Sequence, residues 1–502
     1  MRRAGRPALI LHKDEVFALA AQSDNRPQRG KPGTATPPGA QRKKRTTSAT
    51  NSGAPLRSAR EAALDVLVRV EEQSAYSNLL LHQTLQRAAL PRADAALATE
   101  LVYGTIGRQN TLDYYLTRFV AKGLHKLEPW VRCLLRLSVY QLVYLQRIPD
   151  HAAVSEAVNI AKRRGHAGIS GMVNGVLRSV VRSKAELTLP AGLGDTARIA
   201  LAESHPEWLV QRWVRQFGAA TAEAICAANN EPPPVSLRAN VLRGSRAQLV
   251  DALAADGVRA EPSALAPSGV RVMGAGNMAL DPRFRAGLYS IQDESSMLVA
   301  EALEPLPGMR VLDCCAAPGG KTAHIAEKMA NRGEIWACDL HEHKRQLIEE
   351  QAQRLGLQSI RTLTLDAVKL AGHFEPGSFD RILLDSPCSG FGVIRRKPDL
   401  KWAKQEADIA GIAELQRELL SSVQSLLAPG GVLVYSTCTL ESAENEEQVR
   451  RFLEAHDDFA LEPLPAAAFA ALGEQAASGM VSILPQQFGS DGFFIARLRK
   501  RA

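Results

Sequence analysis

Residues 301–502 alternate between short apolar runs and helical stretches, and this alternation limits the fold more than any other feature of the chain. The apolar runs lie at 311–315, 335–338, 360–365, 382–384 and 432–435. Strands that alternate with helices predict a parallel, doubly wound sheet. We therefore expect an α/β domain of the Rossmann-like type, with ligands at the carboxyl ends of its strands.

The preceding residues predict two further domains. Residues 57–185 have apolar residues at helical spacing over 60–90, 127–145, 151–163 and 169–183, which indicates an all-α bundle. Residues 186–300 contain strand-like runs at 235–241 and 270–273 around a helical stretch at 246–255. This pattern predicts a connector with a small α+β module, and thus a multidomain chain.

Charge is distributed unevenly along the chain. The formal net charge is +8, and residues 1–56 alone hold eleven Lys and Arg against three acids. This segment is rich in Pro, Gly, Ser and Thr, which predicts a disordered basic tail. Residues 118–184 hold twelve Lys and Arg against three acids, including Lys162, Arg163 and Arg164. Such a cluster can bind RNA phosphates, although a basic run is as often a solvated helical face.

The seven cysteines form no CxxC pair, and no apolar run is long enough to cross a bilayer. These features argue against a disulfide scaffold, a four-cysteine metal site and a membrane span. We expect a cytoplasmic protein without a metal ion.

A loop of small residues follows the first predicted strand of the α/β domain. It reads Cys315, Ala316, Ala317, Pro318, Gly319, Gly320 and Lys321. Small residues let a ligand approach the backbone, and the helix that begins there offers unpaired N–H groups. The loop matches neither the GxGxxG pattern of dinucleotide-binding proteins nor the GxxxxGK[ST] pattern of nucleoside triphosphatases. It favours a nucleotide-like ligand without a large anionic phosphate group.

Acidic residues end three later strands: Asp339, Asp366 and Asp385. A carboxylate at the position of Asp339 can accept hydrogen bonds from both hydroxyls of a ribose, and Asp366 would lie near an adenine edge. A single Asp in such a place is more often a helix cap. Three acids at neighbouring strand ends together favour a nucleoside site.

Two cysteines, Cys388 and Cys438, follow neighbouring predicted strands and should face one cleft beside Asp385. Carbon 5 of a pyrimidine is too weak a nucleophile to take a methyl group directly, but a thiolate that adds to carbon 6 activates it. The pair therefore predicts methyl transfer to carbon 5, with one cysteine attacking and the other assisting release. The target base must be unpaired or flipped out of a duplex. The residues alone do not decide which cysteine attacks.

At these residues the chain resembles the RNA cytosine-5 methyltransferases of the Sun (Fmu) family. The resemblance spans residues 289–494 and includes CAAPGGK at 315–321, DSPCSG at 385–390 with its GVIRR tail at 392–396, and STCT at 436–439. Residues 57–185 resemble the RNA-binding NusB fold. Coupling that fold to this catalytic domain resembles the members of the family that methylate 16S ribosomal RNA.

The resemblance implies a role for each matching position. S-adenosylmethionine would be held by residues 315–321 with Asp339, Asp366 and Asp385. Cys438 would be the nucleophile, Cys388 would promote product release, and Asp385 would also contact the cytosine edge. The partner would be 16S ribosomal RNA with an unpaired or flipped cytosine, and we expect a monomer. The candidate RNA contacts are Lys162, Arg163, Arg164, Arg395 and Arg396.

One departure from the family is Ser386, where Ala is more usual; it is small and should not disturb the site. Two alternatives stay open, a transfer RNA cytosine-5 methyltransferase and a non-catalytic RNA-binding factor that uses the bundle alone. A nicotinamide oxidoreductase is disfavoured because the glycine fingerprint is absent. A cysteine hydrolase is disfavoured because no His partner for the thiols is evident.

Overall fold

The computed structural model describes residues 58–73 and 76–502. The predicted disordered tail, residues 1–56, lies outside the described residues. Within these ranges, no helix is both long and apolar enough to cross a membrane.

Seven α-helices form the predicted bundle. They are α1 (Ala59–Gln73), α2 (Ser77–Ala88), α3 (Arg92–Gly107), α4 (Gln109–Thr117), α5 (Pro129–Tyr144), α6 (Asp150–Arg164) and α7 (Ala167–Arg182). Helix α5 has Pro129 in its first turn, where a missing N–H is tolerated. Val131, Leu135, Val139 and Leu142 of its predicted apolar stripe are all buried. The all-α prediction for this region is confirmed.

The prediction of four helices in this region is wrong, because the described residues form seven. The stretch 60–90 forms two helices, because Tyr76 has an extended backbone with φ −68° and ψ 124°. Helices α3 and α4 were missed. The alanine-rich sequence of α3 gives little contrast between its buried and exposed faces, so its helical period is weak.

The connector begins with three helices and continues as a small sheet. The helices, which were not predicted, are α8 (Asp195–Ala202), α9 (Glu207–Phe217) and α10 (Ala219–Ala228). The module that follows comprises β1 (Val235–Ala239), α11 (Arg246–Ala255), β2 (Arg259–Pro262), β3 (Gly269–Met273), α12 (Pro282–Arg285) and β4 (Tyr289–Ile291). Its strands form an antiparallel sheet in the order β2-β3-β1-β4, and the predicted α+β character is confirmed.

The remaining residues form the α/β domain. Its elements are α13 (Glu294–Leu303), β5 (Arg310–Asp313), α14 (Gly320–Lys328), β6 (Glu334–Asp339), α15 (Glu342–Leu355), β7 (Ile360–Thr364), β8 (Phe379–Asp385), α16 (Leu400–Ala403), α17 (Glu406–Val423), β9 (Leu427–Thr437), α18 (Glu446–Ala455), β10 (Phe459–Leu461), β11 (Met480–Ile483), α19 (Pro485–Phe488) and β12 (Phe493–Lys500). The five predicted strands correspond to β5 to β9.

The sheet is mixed rather than wholly parallel. Its order is β10-β12-β9-β8-β5-β6-β7, with β11 also paired to β12. Strands β5 to β9 are parallel as predicted, whereas β12 is antiparallel to β9, β10 and β11. The connection from β11 to β12 spans only residues 484–492, which is too short for a parallel crossover.

The strand register brings the acidic strand ends to one edge of the sheet. Asp313 ends β5, Asp339 ends β6 and Asp385 ends β8. Asp385 is opposite Ser436 of β9, two residues before Cys438. Since parallel strands share a carboxyl edge, the loops that follow these residues surround a common cleft.

A buried lysine joins the α/β domain to the helices before it. The Nζ atom of Lys401, on α16, donates to the carbonyl oxygens of Gly107 at 3.0 Å and Ser204 at 3.1 Å, and to Oδ1 of Asn230 at 2.8 Å. Lys401 is fully buried. One ammonium group therefore holds the ends of α3 and α10 and the turn after α8 against the α/β domain.

Candidate active site

The loop between β5 and α14 forms one wall of a cavity of about 160 Å³. Six of its seven residues line this cavity: Cys315, Ala316, Ala317, Pro318, Gly320 and Lys321. Gly319 makes the turn behind them with φ +97°, and a Cβ atom there would lie 3.1 Å from the Cα atom of Ile348. Only glycine combines this backbone conformation with such close packing on α15.

The predicted ribose and adenine acids lie beside the loop rather than in the cavity wall. Asp339 is nearly buried, and its Oδ2 accepts from the N–H of Ala317 at 3.3 Å. Asp366 is partly exposed, and its Oδ1 accepts from the N–H of Val368 at 3.2 Å, which caps the short 3-10 helix 367–372. The capping role weighed for Asp366 is therefore present in the structure.

Two apolar side chains next to these acids are exposed. Leu340, which follows Asp339, is 56% exposed, and Val368, two residues after Asp366, is 36% exposed. Large apolar side chains that stay in water beside a ligand cleft are suited to cover a flat aromatic ring. Neither residue was predicted as part of the site, although each is an apolar neighbour of a predicted acid.

Asp385 and Lys321 form an ion pair at the cavity. The Lys321 Nζ lies 3.0 Å from Asp385 Oδ2, and Ser436 donates its hydroxyl to Asp385 Oδ1 at 2.8 Å. Lys321 Nζ also lies 5.2 Å from the centre of the Phe493 ring. The aspartate is thus held in place by a charge and a hydroxyl group, each from a different segment of the chain.

The two predicted cysteines meet beside this ion pair. The Sγ atoms of Cys388 and Cys438 are 3.3 Å apart, neither residue forms a disulfide, and both residues are partly exposed. Cys438 also lines the cavity. By contrast, burial raises the pKa of Cys314 and of Cys338, so these thiols are kept neutral and inert.

Close backbone contacts fix the position of Cys438. Its carbonyl oxygen accepts from the N–H of Gly392 at 2.9 Å, and the Gly392 carbonyl accepts from the N–H of Gly492 at 2.8 Å. A Cβ atom at Gly392 would lie 2.0 Å from the Gly492 oxygen. These contacts account for the glycine in the GVIRR tail and for the glycine that precedes Phe493.

A buried glutamate supports the loop that carries Cys388. The Oε2 atom of Glu444 accepts from the N–H of Ser389 at 2.8 Å and from Nε2 of Gln416 at 3.2 Å. The Ser389 hydroxyl lies 2.7 Å from the Thr439 hydroxyl, next to the second cysteine. Burial raises the pKa of Glu444 to about 7 despite the hydrogen bonds from Ser389. No pattern in a single sequence singles out this residue.

The small α+β module also lines the cavity, and this contribution was not predicted from the sequence. Ser236 of β1 and Gln292, after β4, line the cavity. Arg238 of β1 is fully buried; it forms two hydrogen bonds with Glu327 of α14, at 2.8 and 3.0 Å, and donates to the carbonyl of Gly320 at 2.8 Å. The module therefore holds the start of α14, where the loop of small residues ends.

The candidate RNA contacts Arg395 and Arg396 make contacts within the chain. Arg396 lies 2.7 Å from Asp491 and 2.9 Å from Asp293 and lines the cavity. Arg395 donates to the carbonyls of Gly489 at 2.5 Å and of Ala228 at 3.1 Å. Burial raises the pKa of Asp491 to about 7, against the effect of Arg396. RNA contact by these two arginines stays a prediction.

The other candidate RNA contacts lie on α6 of the bundle. Lys162, Arg163 and Arg164 are all exposed, and Arg163 is also paired with Glu61 of α1 at 2.7 Å. Lys162 lines a separate groove between α6 and α7. Within the part of the chain that the structure describes, no group of three or more His, Cys, Asp or Glu side chains could hold a metal ion.

Comparison with known proteins gives the same three-part division. Residues 300–499 match the family described as 16S rRNA methyltransferase RsmB/F. Residues 57–182 match the NusB family. Residues 205–279 match the ferredoxin-like domain of RsmF/B-like methyltransferases.

Solved structures share the fold over much of the chain. PH0851 superposes with a TM-score of 0.74 at 27% identity, covering 88% of this chain and 98% of that one. NSun6 from Pyrococcus horikoshii with SFG superposes with a TM-score of 0.52 at 25% identity, covering 60% of this chain and 99% of that one.

Curated relatives match over nearly their whole length. The probable ribosomal RNA small subunit methyltransferase B of Bacillus subtilis (strain 168) is 48% identical over 447 residues, which are 88% of this chain and 99% of that protein. The ribosomal RNA small subunit methyltransferase B of Photorhabdus laumondii is 36% identical over 409 residues, or 81% of this chain and 91% of that protein. With these relatives and the three matched domains, the chain belongs to the RsmB/F family of ribosomal RNA methyltransferases.

Proposed function

We propose that this protein transfers a methyl group from S-adenosylmethionine to carbon 5 of a cytosine in 16S ribosomal RNA. The observation that carries the proposal is the pair of cysteine sulfur atoms, 3.3 Å apart, at the carboxyl edge of the sheet. One sulfur can bond to the pyrimidine ring while the other is close enough to act at the same ring. The cavity beside them supplies room for a ligand.

The residues around the cavity fit S-adenosylmethionine. Residues 315–318 line the cavity, and Gly319 makes the turn behind them at a positive φ, where a Cβ atom would be strained and in tight contact with α15. The carboxylate of Asp339 would accept from the ribose hydroxyls, and Leu340 and Val368 would cover the adenine. When bound, the cofactor supplies an electrophilic methyl group on a sulfonium sulfur.

Cys438 would act as the nucleophile, as the family resemblance implies. Its thiolate forms a bond from Sγ to carbon 6 of the cytosine, and the electron pair of the carbon 5–carbon 6 double bond makes carbon 5 nucleophilic. After carbon 5 has taken the methyl group, a base removes the proton from carbon 5. The double bond re-forms and the Cys438 thiolate leaves. Cys388, whose sulfur is adjacent, would promote this release.

Asp385 would orient the base. Lys321 and Ser436 hold its carboxylate at the cavity, so it is fixed before the substrate arrives. A fixed carboxylate can accept from the exocyclic amino group of cytosine, which uracil lacks. The ring must leave any stack to reach these groups, so the target is an unpaired or flipped nucleotide.

The cysteine roles can be tested by trapping. The variant Cys388→Ala should accumulate a protein–RNA adduct that survives denaturation when it is incubated with 16S RNA and S-adenosylmethionine. Cys438→Ala should form none, and the double variant is the matched control for non-covalent carry-over. An adduct in Cys438→Ala alone would exchange the two roles. Full turnover by both variants would refute the thiol mechanism.

The cofactor and the substrate need separate tests. Calorimetry should show S-adenosylmethionine binding to the wild type and weaker binding to Asp339→Asn, because the neutral amide accepts a ribose hydroxyl less strongly. Absence of binding by the wild type would favour a non-catalytic RNA-binding role. Methylation of purified 16S RNA and of total transfer RNA side by side should yield 5-methylcytosine in the ribosomal RNA, and the reverse result would make this a transfer RNA enzyme.

A further inference from the structure

A groove of about 740 Å³ runs between α6 and α7 on the bundle, away from the residues that line the catalytic cavity. Lys162 of α6 and Arg178 and Arg182 of α7 line it, and all three are exposed. Asp150 is the one acid among the described residues that line the groove, and the Lys184 ammonium lies 3.1 Å from its carboxylate. The groove is therefore positively charged.

None of the three cations forms an ion pair with another residue in the ranges that the structure describes. No acid lies four residues before any of these cations on its helix. Those positions are occupied by Val158 before Lys162, Asn174 before Arg178 and Arg178 before Arg182. Arg178 and Arg182 are thus a like-charge pair at i,i+4, which weakens a helix. The helix dipole favours a cation in the last turn, where Lys162 and Arg182 lie, but it does not account for Arg178.

Polar side chains between the cations can make further hydrogen bonds. Asn159 of α6 and Asn174 of α7 line the groove from opposite walls, with Ser155 beside them. No hydrogen bond in the described part of the chain uses these side chains. Cations that position phosphates, together with amides that can reach ribose hydroxyls or base edges, are the groups with which proteins bind RNA.

We propose that the α6–α7 groove binds a segment of RNA backbone at a second site, away from the target cytosine. The segment from Asp150 to Lys162 along α6 is about 18 Å long at 1.5 Å per residue, enough for a few consecutive nucleotides. The basic residues of the run 162–164 therefore differ in role, because Arg163 is bound to Glu61 while Lys162 lines the groove. This inference rests on the proposed function only in taking ribosomal RNA as the ligand.

The test compares two pairs of cations on the same bundle. The variant R178A/R182A removes two groove cations, and K162A added to it removes the third. The control K122A/K126A removes two exposed lysines outside the groove. Binding of the full chain to transcribed 16S RNA is measured between about 50 and 300 mM KCl. We expect the slope of log affinity against log salt to fall by about 1 for each groove cation removed.

The control should keep the wild-type slope, and the groove variants should bind the RNA at least about tenfold more weakly at about 100 mM salt. R178A/R182A removes a like-charge pair but also the hydrogen bond from Arg182 to Ser179, so its melting temperature should stay close to that of the wild type. A melting curve of each variant therefore separates weaker binding from misfolding. Equal slopes for the groove variants and the control would overturn the proposal. A wild type that binds RNA through the groove but methylates none would leave this inference standing and refute the proposed function instead.

Discussion

Replacing the buried Glu444 by glutamine should make the protein less sensitive to alkaline pH. Glu444 is fully buried behind the Cys388 loop. Its Oε1 and the Oε1 of Gln416 are both buried without a hydrogen-bond partner among the described residues. A buried carboxylate oxygen that lacks a donor is costly, and this favours the protonated carboxyl of Glu444. Glutamine has the shape of that neutral form, and it keeps an oxygen to accept from Ser389.

The magnitude follows from the shift in pKa. Burial raises the pKa of Glu444 from its usual value of 4.5 to about 7. One pKa unit corresponds to about 1.4 kcal/mol, so ionising this group is about 3 kcal/mol less favourable in the folded protein than in the unfolded chain. Between these two pKa values the folded state binds more protons than the unfolded state, and stability therefore falls as the pH rises. Above about pH 8 the free energy of unfolding of the wild type is therefore about 3 kcal/mol lower than it is below the unfolded pKa.

Urea unfolding of wild type and Glu444→Gln from about pH 4 to about pH 8 measures the effect. The glutamine variant should gain about 3 kcal/mol relative to wild type across this range. Glu418→Gln, at an exposed position on the same helix as Gln416, is the control and should follow the wild type. A difference between Glu444→Gln and wild type that stays constant with pH would refute the reasoning, and so would a variant that is less stable at pH 8.

Three further outcomes are expected. Gly319→Ala should weaken S-adenosylmethionine binding, measured by calorimetry, because the new Cβ meets the backbone of α15 at positive φ. Gly320→Ala, where a Cβ has open space, should keep the fold, as melting curves of both variants will show. Hydrogen peroxide should oxidise Cys388 and Cys438 to a disulfide and so remove activity, since their sulfurs are 3.3 Å apart. Dithiothreitol should then restore the activity, and a thiol titration should again detect both thiols. Lys401→Met should destabilise the domain junction by about 3 kcal/mol or more, because it leaves three buried acceptors unpaired; limited proteolysis should then separate the bundle from the α/β domain.

Local sequence patterns predicted the parts of the site that lie within one segment. The small residues at 315–321, the strand-end acids Asp339 and Asp385, and the two cysteines follow from apolar runs and their immediate neighbours. Parallel strands share a carboxyl edge, so residues that follow such runs can be assigned to a single cleft by their positions in the chain. The mixed character of the sheet was missed because β10 and β11 are short, and because β12 returns after only residues 484–492, without the crossover that marks the parallel strands.

Contacts between distant segments were not predictable. Arg238 donates to the carbonyl of Gly320, which lies 82 positions later in the chain, and Lys401 binds carbonyl oxygens up to 294 positions away. Nothing in a single sequence pairs such residues, because an isolated lysine or arginine is most often a solvated surface group. Their roles follow only from burial, which leaves each charged group in contact with a particular set of acceptors.

The junction at Lys401 has a consequence for substrate choice. Because one buried side chain ties the end of α3, the turn after α8 and the end of α10 to the α/β domain, the bundle and the pair of thiols are held at a set separation. If the bundle holds RNA as proposed, the target cytosine must lie at that distance in space from the held nucleotides. The folded shape of the ribosomal RNA, more than the few bases around the cytosine, would then decide which nucleotide is modified.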